Sequence, residues 1–161
     1  MQALRHKLIW LKFLSEKAWS MKHAVHSLTF IKNQSLMKKN NIIFWVATGF
    51  IFLFEGVMPA LTSQTELAKE GIRHLGYPEY FGNILVVFKV CGVLLLVIPQ
   101  VPSRLKEWAY AGFAFDFIFA FLSHVAVDGF SAMACFPLVI LAILAVSYVY
   151  YHKIRVEKVG Q

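Results

Sequence analysis

The sequence predicts an all-α polytopic membrane protein, a four-transmembrane-helix bundle with a short amphipathic surface helix between spans 1 and 2. Three observations predict it. Of 161 residues, 58% are apolar and only 16% charged, whereas a soluble domain carries about 25% charge. The apolar residues gather in four runs, at about 42–61, 81–99, 108–127 and 132–151, each near the ~20 residues that cross ~30 Å of hydrocarbon. The basic residues fall consistently on one side of these runs. The formal net charge of +7 belongs to the start of the chain: residues 1–41 hold eight Lys or Arg against Glu16 alone, and the remainder balances. That excess bears on topology and anionic lipid, and no nucleic-acid partner is expected.

Residues 1–36 place Leu4, Leu8, Leu11, Leu14 and Ala18 at helical spacing, with Arg5, Lys7, Lys12 and Lys17 around them. This is the pattern of an interfacial amphipathic helix, too charged to span and without the core and cleavage site of a signal peptide. Met37 opens MKKNN directly before the first span, a natural basic start. Residues 1–36 therefore read either as a basic amphipathic extension or as sequence upstream of a start at Met37, and 37–161 as the four-span domain.

In the first span Trp45 sits where an interfacial anchor would. Glu55 interrupts the run, Thr48 lies seven residues earlier on the same face, and Pro59 is expected to loosen the helix end. The loop 62–80 carries Ser63 and Glu66 at capping-box spacing, then the stop signal Gly76 and Pro78. Between them Leu67, Ala68, Gly71, Ile72 and Leu75 share one side, which predicts a helix lying on the membrane surface over the mouth of the bundle. Lys89 occupies the middle of the second span, with Gly92 one turn on. Residues 100–107, with Arg104 and Lys106, read as a tight basic turn. The fourth span is uncharged and ends in Tyr148, Tyr150 and Tyr151 before a basic tail. Leader, 100–107 turn and tail must share a side, and all three are basic, so both termini are expected in the cytoplasm. Cys91 and Cys135 form no CxxC pair and no metal-spaced grouping, and are expected as ordinary buried thiols without a metal site.

The third span is the most informative. Asp116, Ala120, Ser123, His124 and Val127 recur on one helical stripe, and Asp128 lies just past its end. Ionisable groups in hydrocarbon are costly, about 2.5–3.5 kcal/mol for a central Asp on insertion scales, so they face protein, water or each other. At a rise of ~1.5 Å per residue, Glu55 lies ~8 Å, Lys89 ~12 Å and Asp116 ~16 Å below the outer end of its span, and His124 ~5 Å. Overlapping depth on three helices makes Lys89 between Glu55 and Asp116 the cheapest arrangement, with His124 near the mouth. The candidate polar cluster is therefore Glu55, Lys89, Asp116, Ser123, His124 and Asp128. It reads as a network that fixes helix register, or as a pocket open to the outside that holds a ligand head group or passes a proton. No constellation of catalytic groups accompanies it, so binding is expected rather than catalysis.

The segments FLFEGVMPALTS (52–63), HLGYPEYFG (74–82), KVCG (89–92), KEWAYAGFAFDFIFAFLSH (106–124) and the Asp128–Gly129 link resemble DoxX-like membrane proteins over about residues 37–153. The resemblance implies a small four-helix protein of the bacterial inner membrane. The family takes its name from a subunit associated with a quinone-linked terminal oxidase and thiosulfate oxidation in archaea. It supplies no catalytic residue to carry over. Haem, flavin and Fe–S motifs are missing, so no cofactor is evident, and a quinone alone stays open as a ligand.

Two function classes follow. One is an accessory subunit, binding a quinone or other lipid-like molecule within a membrane redox or stress-response assembly, alone or as a homo-oligomer. The other is a small proton-coupled multidrug-type exporter using Glu55, although Lys89 would neutralise the acid such an exporter needs free. A four-helix vitamin K epoxide reductase-like enzyme is opposed by the missing CxxC. Phe113, Phe115, Phe117, Phe119 and Phe121 could line a quinone site, but alternate positions point all round a helix and most should face lipid or packing.

Overall fold

The computed structural model describes the backbone of residues 2–159, and the side chains of most of them from Glu16 to Glu157. The faces of Leu4, Leu8, Leu11, Leu14 and Ala18, on which the amphipathic reading of the leader rests, lie outside the described residues. Among the described residues six α-helices follow one another: α1 (Gln2–Ile51), α2 (Met58–Thr62), α3 (Glu66–His74), α4 (Glu79–Val97), α5 (Ser103–Asp128) and α6 (Ala132–Val159). A π-helical turn, Phe52–Val57, joins α1 to α2. No strand occurs among the described residues. The chain divides into two compact units, residues 1–39 and 40–161, and the second contains the core and the site described below.

Four helical stretches among the described residues are long and apolar enough to cross a membrane: Gln34–Thr62, Glu79–Val97, Ser103–Asp128 and Ala132–Glu157. The protein is a four-span, all-α membrane bundle. Its α5 packs most extensively on α6 and next on α4, while α4 packs on the π turn. Ile51, Val93, Leu96, Phe113, Phe117 and Leu144 form the centre of the core. The outer faces stay apolar: Phe88, Trp108, Phe115, Phe119 and Val139 are exposed, as lipid-facing side chains must be.

Several local details differ from the sequence reading. Pro59 acts before itself and not only at the helix end. It has no N–H to offer the carbonyl one turn back, that of Glu55, and the chain widens into the π turn, where Met58 N–H bonds Leu53 O. The surface helix is capped by Thr65, not Ser63: its hydroxyl accepts from Ala68 N–H at 3.3 Å and donates to Thr62 O at 2.7 Å. Ala68, Ile72 and Leu75 are half-buried as the pattern requires, but Leu67 and Gly71 are exposed. The stop signal operates as read: Gly76 takes φ +80°, and Pro78 precedes α4. The 100–107 turn is shorter than expected, because α5 begins at Ser103. Lys106 is consequently buried, and its Nζ donates to Leu96 O at 2.8 Å near the end of α4. An ammonium on these carbonyls satisfies acceptors that the helix end leaves open.

Candidate functional site

Two close helix approaches build the site. Gly56 lets the buried Val93 of α4 come so near that a Cβ on residue 56 would stand 2.5 Å from Val93 Cγ2. Gly92 does the same for Phe113 of α5, whose Cε2 lies 2.8 Å from the place of a Cβ. Glu55 precedes Gly56, Lys89 is one turn before Gly92 and Val93, and Asp116 is one turn after Phe113. The same approaches therefore bring three ionisable groups to one point. Lys89 Nζ lies 2.6 Å from Glu55 Oε2 and 3.0 Å from Asp116 Oδ2. The ammonium donates to Glu55, the more deeply buried acid at 6% side-chain exposure, while Asp116 keeps 19%. The placement estimated from depth along the spans is the one the tertiary structure adopts.

The other three candidates do not join them. Ser123 and His124 share a stripe with Asp116, but they serve the end of the bundle next to α3. Ser123 Oγ is 2.8 Å from the hydroxyl of Tyr77, and Asp128 accepts from two imidazoles: His74 Nε2 at 2.5 Å and His124 Nδ1 at 3.1 Å. His74 ends α3 and Tyr77 lies in the turn after it, so both contacts fasten the surface helix to α5. The sequence reading had missed His74 and Tyr77. Their positions flanking Gly76 are visible in the sequence, but nothing there says that the turn returns them to α5. A second omission is the buried hydroxyl chain at the other end of the bundle. Thr48 Oγ1 meets Ser147 Oγ at 2.7 Å, and Ser147 meets Tyr110 Oη at 2.9 Å. No charge marks these positions, and only packing brings them together.

Lys89 also borders two cavities. One, of about 330 Å³, lies under the surface helix and is lined by Gln64, Lys69, Ile72, Asn83 and Lys89 among others. The second is an apolar groove of about 440 Å³ between α4 and α5, on the lipid side. Phe88, Cys91, Trp108, Gly112 and Phe113 border it, and Lys89 and Asp116 form its polar end. Of the five phenylalanines in 113–121, only Phe113 borders the groove. Phe117 is in the core, and Phe115 and Phe119 are exposed. Cys91, expected to be buried, is exposed, Cys135 is half-buried, and both are free thiols. Among the described residues no group of His, Cys, Asp and Glu is arranged to hold a metal ion.

A four-span helical bundle whose Lys89 bridges two carboxylates is a small integral membrane protein built around a charged cluster. The family profile of the DoxX-like family matches residues 43–147, most of the chain. The chain belongs to that family. No curated protein and no solved structure matches it.

Proposed function

We propose that this DoxX-like protein binds a lipid-like small molecule in the groove between α4 and α5, as an accessory subunit of a membrane redox or stress-response assembly. The observation that carries the reading is the position of Lys89 and Asp116 at the polar end of a lipid-facing groove of about 440 Å³. That volume lies in the range of about 300–1,000 Å³ that small-molecule sites occupy, and such sites pair an apolar lining with a few polar groups. A quinone fits this donor set: the Lys89 ammonium donates to Glu55, pairs with Asp116 and has three N–H groups in all, so it can also serve a ring carbonyl. Phe88, Trp108 and Phe113 offer ring faces to its body. The basic leader, the start of α5 and the tail support an orientation with both termini cytoplasmic, in the bacterial inner membrane.

The test is native mass spectrometry of the protein released gently from its own membranes. The expected result is a retained lipid-like mass or a partner subunit, with the ligand lost from a Gly112→Leu variant. A bare chain from both proteins would refute the reading. The exporter reading gains one point from the structure, because Lys89 faces two carboxylates and so neutralises only one of them. It requires proton-coupled transport by vesicles containing the protein, abolished by Glu55→Gln.

A further inference from the structure

The charges at the end of the groove do not balance. With all three groups ionised, Glu55, Lys89 and Asp116 sum to one negative charge, largely out of contact with water. An uncompensated charge in a low-dielectric site must be met by a proton or a cation. The two acids are not equivalent. Glu55 is the more buried, accepts the short bond from Lys89 and does not border the groove; Asp116 does. The face left for a counter-charge is therefore that of Asp116, and it opens onto apolar and aromatic walls.

We infer that the groove takes an amphiphile with a protonated amine head, which pairs with Asp116 and replaces the proton that otherwise neutralises the cluster. This deepens the reading of the groove as a small-molecule site and rests on it. Charge is conserved in the exchange: the ammonium enters as a cation, and one carboxyl proton leaves. An anionic head would meet the surplus carboxylate, and a neutral head would gain no ion pair. Aromatic faces add to the preference, since Phe88 and Phe113 border the groove near its polar end and attract cations through their ring quadrupoles. The apolar body extends along α5 from Asp116 toward Trp108, eight residues or ~12 Å away.

Gly112 fits an occupied groove. It borders the cavity, and a Cβ there would meet nothing within 4 Å. Among the described residues no packing requires a glycine at this position, although glycine is the poorer helix former by about 1 kcal/mol relative to alanine. A side chain at 112 would begin in open space at the border of the groove.

Three probes with one body and different heads test the inference: 4-phenylbutylamine, 4-phenylbutanol and 4-phenylbutanoate. The readout is alkylation of Cys91, which borders the groove, in a full-length Cys135→Ala protein in nanodiscs, with proton release measured in weakly buffered solution. The amine should half-protect Cys91 at a concentration about tenfold or more below that of the alcohol, the factor of a charge-assisted hydrogen bond. The acid should protect least, and amine binding should release about one proton per site, the stoichiometry of the exchange. Nonspecific partition into lipid favours the neutral alcohol, opposite to the expected order. Asp116→Asn should abolish the preference and the proton release while alcohol binding persists, and Gly112→Leu should remove protection by all three. Equal protection by the three heads would overturn the amine inference and leave the groove a binding site. Amine protection without proton release would overturn the exchange. No protection by any probe, with Gly112→Leu indistinguishable from the parent, would overturn both the inference and the binding reading.

Discussion

Replacing Lys89 by methionine keeps most of the side-chain volume and removes only the charge. Both acids lie against the same nitrogen, at 2.6 and 3.0 Å, so their facing oxygens are at most about 5.6 Å apart, the sum of those distances. With the lysine gone, keeping both acids ionised at that separation would cost about 3 kcal/mol at an effective dielectric constant of about 20, and keeping them protonated costs free energy as well where the solvent pH favours the ions. Breaking one partner out of a buried pair costs about 3–5 kcal/mol, so Lys89→Met should destabilise the bundle by about 3 kcal/mol. The triple variant Lys89→Met, Glu55→Gln, Asp116→Asn leaves no unpaired charge. It should return to within about 1 kcal/mol of the parent, because interhelical polar contacts in membranes average only about 0.6 kcal/mol. Unfolding in mixed micelles of dodecyl maltoside and SDS, followed by tryptophan fluorescence, measures both. The Lys89→Met defect should also shrink as the pH falls, since protonating the acids removes their repulsion. A triple variant no more stable than Lys89→Met would refute the view that Lys89 compensates the acids, as would a defect indifferent to pH.

Two further outcomes test how the site is built and closed. Gly56→Ala places its new methyl against Val93, a stiff and fully buried side chain, and should destabilise by about 1–3 kcal/mol. Adding Val93→Ala should recover part of that loss in the same unfolding assay; an unperturbed Gly56→Ala would mean the helices can separate freely. Tyr77→Phe combined with His74→Ala removes both fastenings of the surface helix to α5. Each bond is worth about 1 kcal/mol or less in this setting, so amide exchange across 62–80 should quicken by about tenfold while α4 and α5 keep their protection. Unchanged exchange there would show that α3 is held by its packing on α4 alone.

The spans were legible because bilayer thickness sets a length that local composition either meets or does not. The triad was legible for a related reason. A charge in hydrocarbon has few affordable neighbours, so Lys89, Glu55 and Asp116 at overlapping depth on separate helices had to meet. The contacts between α3 and α5 were not legible. Ser123 and His124 share a helical stripe with Asp116, and periodicity could not separate them, because Ser123 bonds Tyr77 and Asp128 bonds His74, residues at and just past the end of α3 whose return to α5 no pattern encodes. The same holds for Thr48, Ser147 and Tyr110, uncharged residues spread over three helices. Lys106 read as a loop charge because the helix start at Ser103 depends on where α4 ends. The sequence by itself determined the class of protein, the number of crossings and the residues that had to be compensated, since each follows from transfer energy along the chain. Only the tertiary structure decided which acid faces the groove, where the π turn falls and how the surface helix is tied down. Those depend on close approaches at Gly56 and Gly92, and an approach between helices is a property of two surfaces together, which neither carries alone.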